Sequence, residues 1–193
     1  MRNSEFITGK VPITKEEVRA ISISKLNLVN AKNLIDIGAG TGSVSVEAAY
    51  NYPNLKVISI EKNDDAIELI EKNKKKFNLK NIEVIKGYAP INLGLNVKVE
   101  SIFLGGTGNN LEEIIEWSKK NLVTGGRLVA NFIIIDTFNQ TLKLLKKHGF
   151  KEIDVCVLNV SKLEKLGKGE YFKPLNPIYI ISCEKGAENK NDK

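Results

Sequence analysis

The sequence is poor in the residues that build metal and disulfide sites. It contains two cysteines, Cys156 and Cys183, and a single histidine, His148. No Cys-x-x-Cys pair occurs and one histidine cannot complete a Cys/His zinc site, so we expect no bound metal. Both cysteines lie in apolar runs, where a free thiol packs as a small hydrophobic group. His148 ends a predicted helix, which favours interaction with the helix terminus over general acid catalysis.

Long hydrophobic runs are also missing. Apolar stretches such as 128–135 fall far short of the ~20 residues that a membrane-spanning helix needs. The first ten residues, MRNSEFITGK, lack the apolar core of a secretion signal. We therefore expect a cytoplasmic protein without membrane contacts. Its 193 residues, 42% of them hydrophobic, suit one compact domain.

The charge of the chain is unbalanced towards the basic side. It carries 29 basic and 23 acidic residues, a formal net charge of +6. Such an excess attracts polyanions, which include nucleic acids and small polycarboxylates alike. Most of the cations are lysines spread along predicted helices, as in EKNKKKF, which is typical of a solvated helix face. No arginine-rich arm is present, so charge alone does not select a partner.

Apolar runs alternate with amphipathic stretches through most of the chain. This alternation indicates right-handed crossovers and a mainly parallel sheet. The pattern predicts strands at 33–38, 56–61, 82–87, 99–105 and 126–134, and helices at 43–51, 64–77, 110–121 and 137–148.

Both ends of the chain break this alternation. Strands predicted at 151–159 and 177–183 flank an irregular segment without a helix, so we expect them to pair as a C-terminal antiparallel hairpin. Near the beginning, Thr14 followed by Glu17 matches a capping box, which predicts a helix starting near Lys15. The sequence therefore predicts an α/β fold with a mostly parallel seven-stranded sheet.

The segment LIDIGAGTGSVSVEAA carries three glycines at alternate positions, Gly38, Gly40 and Gly42. A phosphate-binding loop would end in Gly-Lys-Ser/Thr, whereas Ser43 follows the last glycine here and no lysine is available. The spacing is also a poor match to a dinucleotide loop. Counted from Asp36, the pattern D-x-G-x-G-x-G is that of the S-adenosylmethionine loop of Rossmann-like methyltransferases.

The chemistry of this cofactor suits the residues around the glycines. Glycines let the backbone approach the amino-acid and ribose parts of the cofactor. The carboxylate of Asp36 can hold the ammonium group, directly or through water. Glu61 ends the next predicted strand, where an acidic side chain can accept both ribose hydroxyls. Taken alone, the glycines also fit a tight turn without ligand, and Glu61 a solvated strand end.

The loop after the fourth predicted strand bears on the acceptor. It contains IFLGGTGNN instead of the Asp/Asn-Pro-Pro-aromatic motif of many amine methyltransferases, which disfavours amine methylation of nucleic acid or protein. The adjacent Gly105 and Gly106 suit close approach of a large flat ligand, and an ordinary strand-to-helix loop is the alternative.

A family resemblance emerges from seven motifs that occur in order: VPITKEEVRA, DIGAGTGSVSVEAA, VISIEKN, GYAP, FLGGTGNNLEEII, GGRLVANFI and LNPIYII. Together they resemble the decarboxylating cobalt-precorrin-6B C-15 methyltransferases of cobalamin biosynthesis, and the equivalent module of fused precorrin-6Y methylases. The resemblance covers residues 6–184. The glycine loop and Glu61 are widespread among methyltransferases, and the other motifs are more specific in combination.

The resemblance implies a Rossmann-like class I fold that uses S-adenosyl-L-methionine to methylate C-15 of a cobalt-precorrin, with loss of the ring C acetate as carbon dioxide. It also implies a homotetramer. We expect one methyltransferase domain over residues 1–185, in which residues 1–30 form a helical extension over the cofactor site, and a disordered tail at 186–193. No catalytic triad is expected, and the proton donor is not identified.

The resemblance also implies individual contacts, in addition to Asp36. The cofactor contacts are Thr14, Gly38, Ala39, Gly40, Thr41, Gly42, Glu61 and Ala89. Gly105, Gly106 and Thr107 are candidates for lining the substrate cleft, and Asn131 and Asn176 for hydrogen bonds to ring substituents, with turn or strand-end bonding as the alternative. Cations that could capture the substrate carboxylates, or simply be solvated, are Lys10, Arg19, Arg127 and Lys168.

Two departures from the family pattern concern this cleft. Tyr88 stands where the family usually has an acidic residue before Ala-Pro. A carboxylate there could accept the adenine amino group, so with tyrosine the residue that contacts the adenine is not assigned. Two asparagines follow Gly108, where a further glycine is common. Two other functions also remain open on the same fold: an RNA methyltransferase, and a scaffold that binds S-adenosylmethionine without catalysis.

Overall fold

The computed structural model describes residues 1–91 and 98–187. Its helices in these ranges are α1 (Glu16–Leu26), α2 (Ser43–Asn51), α3 (Asp64–Lys76), α4 (Leu111–Asn121) and α5 (Ile135–Lys147). Its strands are β1 (Asn33–Ile37), β2 (Lys56–Glu61), β3 (Ile82–Lys86), β4 (Val99–Leu104), β5 (Leu122–Phe132), β6 (Phe150–Leu158), β7 (Ser161–Leu166), β8 (Gly169–Pro174) and β9 (Ile178–Lys185).

Seven strands form one sheet in the order β3-β2-β1-β4-β5-β9-β6. Strands β1 to β5 run parallel, and β9 inserts antiparallel between β5 and β6. The predicted α/β fold and the antiparallel pairing of the two C-terminal strands are therefore confirmed. The carboxyl ends of β1, β2, β4 and β5 meet at one edge, where ligands bind in open α/β sheets.

Apolar side chains cover both faces of the sheet. On one face, Val18 of α1 and Val44 of α2 join a cluster with Leu34 and Val57 from the strands. On the other face, α4 and α5 contribute a second cluster that includes Ile115 and Leu145. Burial of these two layers holds the edge with the carboxyl ends in a defined shape.

Helix α3 illustrates how local sequence sets the helix bounds. The Asn63 side chain accepts a hydrogen bond from the backbone nitrogen of Ala66 at 3.1 Å and so caps the first turn. Acidic residues occupy the first turn and lysines the last, which complements the helix dipole. Glu68 and Lys72 form an i,i+4 ion pair at 2.6 Å.

Helix α1 starts close to the predicted position, but the predicted capping box is wrong. The N-cap residue is Lys15, and its side chain makes no capping hydrogen bond. Thr14 instead offers its backbone carbonyl to the Arg19 guanidinium at 2.5 Å. The helix therefore begins at Glu16, with Lys15 as its N-cap in place of Thr14.

The segment predicted to be irregular before the last strand is a hairpin, so that part of the prediction is also wrong. Strands β7 and β8 pair antiparallel from Ser161 opposite Pro174 to Leu166 opposite Gly169. Two residues connect them, and Gly167 among them adopts φ +61°. A glycine with positive φ is the residue that a two-residue hairpin turn requires.

No helix within 1–91 and 98–187 is long and apolar enough to cross a membrane. Of the tail predicted over 186–193, residues 188–193 lie outside the described residues.

Candidate cofactor and acceptor cleft

Gly38 lies where the loops after β1 and β4 almost touch. A Cβ atom at this position would lie 2.4 Å from the Gly106 carbonyl oxygen, and φ is +68°. The backbone nitrogens of Gly38 and Ala39 both donate to the carbonyl of Ile60, at 2.9 and 3.2 Å. Only glycine fits this position, because any side chain would push the two loops apart.

The other two glycines serve different purposes. A Cβ at Gly42 would lie 2.9 Å from Ile70 Cγ1, so this glycine lets α2 pack against α3. A Cβ at Gly40 would meet nothing closer than Val11 Cγ1 at 3.7 Å and the Pro12 carbonyl at 3.8 Å. Gly40 therefore faces an opening between the loop and the N-terminal segment.

Glu61 holds the glycine loop from the end of β2. Its Oε2 accepts a hydrogen bond from the Gly40 nitrogen at 2.8 Å, and its Oε1 accepts from the nitrogens of Lys62 and Asn63 at 2.8 and 2.9 Å. The side chain is buried. This carboxylate therefore orders the loop and faces the cleft at the same time.

Two cavities adjoin at Gly38. The first, here called the apolar cavity, has a volume of about 520 Å³ and is lined by Val18, Val44, Phe103, Phe132 and Ile178 among others. The second, here called the acidic cavity, measures about 440 Å³ and is lined by Glu61, Tyr88, Ala89 and Asn110 among others.

The predicted site residues divide between these cavities. Thr14, Gly38, Ala39, Gly40, Thr41, Gly105, Asn131 and Asn176 line the apolar cavity. Gly38, Glu61, Ala89, Gly106 and Thr107 line the acidic cavity. Gly42 and Asp36 are not among the lining residues of either cavity.

Asp36 is buried beneath the glycine loop. Its Oδ2 accepts a hydrogen bond from Ser45 Oγ at 2.5 Å, while its Oδ1 is buried and has no hydrogen-bond partner among the described residues. Burial raises the pKa of Asp36 to about 7; the charge of Glu61 adds to the rise and the Ser45 hydrogen bond opposes it. Direct contact of this side chain with a ligand in either cavity would require a rearrangement or a bridging water.

Asn131 lies at the carboxyl end of β5 and is oriented by α1. Its Nδ2 donates to Ser22 Oγ at 2.8 Å, and the Ser22 hydroxyl donates to the Val18 carbonyl at 2.7 Å. The Ser22 Oγ also lies 3.2 Å from the Oδ1 of Asn131, so the serine fixes the orientation of the whole amide at the wall of the apolar cavity.

Residues 6–185 match the profile of the precorrin methyltransferase domain family. The chain belongs to this family.

Individual relatives span the whole chain. The cobalt-precorrin-6B C(15)-methyltransferase (decarboxylating) of Salmonella typhimurium is 42% identical over 193 residues, which is 100% of both chains. The crystal structure of precorrin-6y C5,15-methyltransferase from Geobacter metallireducens is 37% identical with a TM-score of 0.89, covering 96% of this chain and 97% of that one. Precorrin 8w decarboxylase of Methanobacterium thermoautotrophicum is 28% identical with a TM-score of 0.87, at 95% and 98% coverage. The chain is thus a methyltransferase.

The prediction that four cations are available to capture substrate carboxylates is wrong for two of them. Arg19 is fully buried and donates to Glu47. Arg127 pairs with Glu184 at 2.6 Å and stands opposite Ser101, towards the amino end of the parallel strands. In the sequence both arginines look like ordinary surface cations, because their acidic partners lie far away in the chain.

The other two predicted cations are exposed. Lys10 directly precedes Val11, which lines the apolar cavity, and Lys168 occupies the turn between β7 and β8.

Tyr88 is 67% exposed at the mouth of the acidic cavity, and Lys62 Nζ lies 4.9 Å from its ring centroid. The tyrosine thus contributes no carboxylate to the acidic cavity at this position.

His148 and the cysteines lie away from both sets of lining residues. His148 is the C-cap of α5, as the sequence predicts. Both cysteines are free, and burial raises the pKa of the Cys183 thiol to about 12.

The sequence analysis did not identify the buried Asn73, which binds both the N-terminal segment and the glycine loop. Its position on the buried face of α3 was the available signal.

Proposed function

We propose that this chain methylates C-15 of cobalt-precorrin-6B and removes its ring C acetate as carbon dioxide, with S-adenosyl-L-methionine as methyl donor, in anaerobic cobalamin biosynthesis. The name and full-length similarity of the Salmonella relative support this reaction. The observation that carries it is the pair of cavities that adjoin at Gly38, one lined by the buried carboxylate of Glu61 and one with apolar walls.

The acidic cavity suits the adenosine part of the cofactor. A carboxylate has about four lone-pair positions, and backbone nitrogens use three of those on Glu61, so ribose hydroxyls would share them or replace the Gly40 contact. Ile60 and Ile114 provide apolar surface for a base, beside the backbone of Ala89. S-adenosylmethionine supplies an electrophilic methyl group when bound.

The apolar cavity suits a flat macrocycle next to the methyl donor. Its side walls are mainly aliphatic and aromatic, with Asn131 and Asn176 as polar groups that can hold ring substituents. Holding the ring carbon in line with the methyl group supplies much of the rate acceleration.

The same walls assist decarboxylation. A carboxylate taken from water into an apolar pocket loses hydration, which favours cleavage of the bond between the acetate methylene and its carboxyl carbon. Carbon dioxide leaves, the electron pair enters the conjugated macrocycle, and the ring system takes up a proton. Lys10 and Lys168 are the exposed cations that we assign to capture of the peripheral carboxylates.

We propose that the functional form is a cytoplasmic homotetramer built from one methyltransferase domain per chain. Leu163 and Phe172 stand directly opposite each other on the β7–β8 hairpin and are 57% and 69% exposed. An exposed apolar face of this kind is typical of a contact between subunits. Light scattering tests this assembly: we expect a tetramer for the purified chain and smaller species for a Phe172→Glu variant, and a monomeric wild type would contradict the proposal.

Mass spectrometry of the chain mixed with S-adenosylmethionine and an enzymatically prepared cobalt-precorrin-6B pool tests the reaction. We expect the tetrapyrrole to gain one methyl group and lose one carbon dioxide. Gain of methyl alone would move decarboxylation to a partner. No change, from a preparation that binds the cofactor, would contradict the tetrapyrrole substrate and favour RNA as the acceptor or a non-catalytic scaffold.

A further inference from the structure

Part of the N-terminal segment lies along the cleft without hydrogen bonds to the rest of the described residues. Residues Thr8–Ile13, here called the strap, form no hydrogen bond with another described residue. Gly9 packs against Leu69 of α3, and Val11 lies across the opening from Gly40. Residues 11–13 line the apolar cavity. The strap is therefore a wall of the cleft that must be held from its two ends.

Asn73 holds the first end. This side chain is fully buried on α3, and its Oδ1 accepts from the backbone nitrogen of Ile7 at 2.7 Å. Its Nδ2 donates to the Ile7 carbonyl at 2.9 Å and to the Thr41 carbonyl at 3.4 Å. One amide thus ties the start of the strap to the glycine loop.

Arg19 holds the second end. Its guanidinium is fully buried, donates to the Thr14 carbonyl at 2.5 Å and to the Asn3 side chain at 3.1 Å, and stacks 4.7 Å from the Phe6 ring centroid. Glu47 of α2 accepts from its Nε and balances the charge. The planar fork of arginine suits this task, because one group reaches several acceptors in different directions.

We propose that Asn73 and Arg19 are positioning residues that anchor the strap against the glycine loop, where the methyl-bearing end of the bound cofactor faces the apolar cavity. They act through the backbone of the strap without touching the reacting atoms. The inference rests on the proposed cofactor. Two buried polar side chains converge on the backbone at either end of a segment that has no other polar tie. Buried polar groups are retained where their hydrogen bonds specify one arrangement. The anchors therefore set how tightly the cleft closes.

The test compares two asparagines that both bond to backbone. Asn73→Leu removes the first anchor, whereas Asn81→Leu is the matched control, since Asn81 donates to the carbonyls of Ala49 and Leu55 at 3.1 and 2.9 Å at the opposite edge of the sheet. The readouts are the Kd for S-adenosylmethionine by calorimetry and the rate of trypsin cleavage after Lys10, which is exposed within the strap.

We expect Asn73→Leu to weaken cofactor binding about tenfold, the equivalent of one or two net hydrogen bonds. Cleavage after Lys10 should become faster in this variant. We expect the cofactor to slow this cleavage in the wild type and to lose that effect in the variant. Asn81→Leu should lower thermal stability while leaving both readouts unchanged. Arg19→Lys keeps a charge for Glu47 but loses the fork, so it should reproduce both effects at the second end and raise the KM for the cofactor with kcat at saturation retained.

Two failures can be told apart. If the wild type shows no binding of S-adenosylmethionine, the proposed cofactor is wrong and this inference falls with it. If the wild type binds, and Asn73→Leu and Arg19→Lys bind equally tightly with unchanged cleavage after Lys10, the inference alone is overturned.

Discussion

The acidic and apolar cavities adjoin at Gly38 but are built in different ways. The acidic cavity is formed by loops that follow β1 to β4 directly, so its residues come from strand ends and the turns after them. The apolar cavity shares the glycine loop with the cofactor side and adds the N-terminal strap, the end of β5 and the residues on either side of the β7–β8 hairpin. A common cofactor site thus needs only local loop geometry, whereas the acceptor site depends on distant segments.

A substitution at Gly38, which lines both cavities, should have the largest effect of the variants considered. Gly38→Ala places a Cβ 2.4 Å from the Gly106 carbonyl at φ +68°, so both cavities should be distorted. We expect the free energy of unfolding to fall by more than about 2 kcal/mol, because left-handed strain and a backbone clash combine. Urea unfolding measures this loss.

Gly167→Ala is the matched control for Gly38→Ala. Gly167 has a similar φ of +61°, but a Cβ there meets nothing within 4 Å. It should cost only the left-handed strain and leave cofactor binding intact. Equal losses in the two variants would show that the contact between the loops is unimportant.

Glu61→Gln should act mainly on the acidic cavity, with a smaller effect on the glycine loop through Gly40. The variant removes a buried charge that orders three backbone nitrogens, so we expect the Kd for S-adenosylmethionine to rise about a hundredfold. Calorimetry measures the change. Glu83→Gln on the exposed ion pair with Lys56 should leave the Kd unchanged, and a similar rise in that control would point to a non-specific charge effect.

The Asp36→Asn variant tests whether the buried carboxyl has a raised pKa and whether it contacts the cofactor. Its pKa of about 7 in the folded chain lies above the ordinary value of 3.8, so the folded state binds more protons than the unfolded state between these values. The free energy of unfolding should therefore fall as pH rises from 4 to 7, and each pKa unit corresponds to about 1.4 kcal/mol. Asp36→Asn removes this slope and should be more stable than the wild type at pH 8.

Denaturant unfolding at pH 5 and pH 8 checks the difference between the Asp36→Asn variant and the wild type. Parallel pH profiles would contradict a raised pKa. A large loss of cofactor affinity in the variant at pH 8 would show that the carboxylate contacts the ammonium group, directly or through water, as the sequence predicts.

Asn176→Ala should give the smallest effect, confined to the apolar cavity. Asn176 is exposed at its rim just before β9, and we expect the KM for the tetrapyrrole to rise by up to about tenfold, in line with one hydrogen bond. The Kd for S-adenosylmethionine should not change. A change in both constants would mean that the two cavities are not separable.

The local features of the chain were predictable from sequence. Helix α2 has the predicted bounds, because Gly42 and the small residues after it specify a strand-to-helix turn. The glycine loop and Glu61 are likewise contiguous with their strands. The β7–β8 hairpin was missed, since its strands are short and exposed and its turn rests on a single glycine with positive φ.

Long-range contacts were not predictable in the same way. Arg19 resembles a surface cation in the amphipathic pattern of α1, and its burial depends on Glu47, 28 residues away. Asn73 shares the buried face of α3 with Ile70, but the sequence does not indicate that its partner is Ile7, 66 residues away. Such partners become apparent only when the helices pack, which is why the strap and the apolar cavity emerged from the structure.

A crystal structure of the chain with S-adenosylhomocysteine tests the central claim most directly. We predict that the ribose hydroxyls lie within hydrogen-bonding distance of Glu61, with the adenine in the acidic cavity and the sulfur atom facing the apolar cavity beside Gly38. Adenine bound in the apolar cavity, or a ribose without contact to Glu61, would contradict the division of the cleft into a cofactor side and an acceptor side.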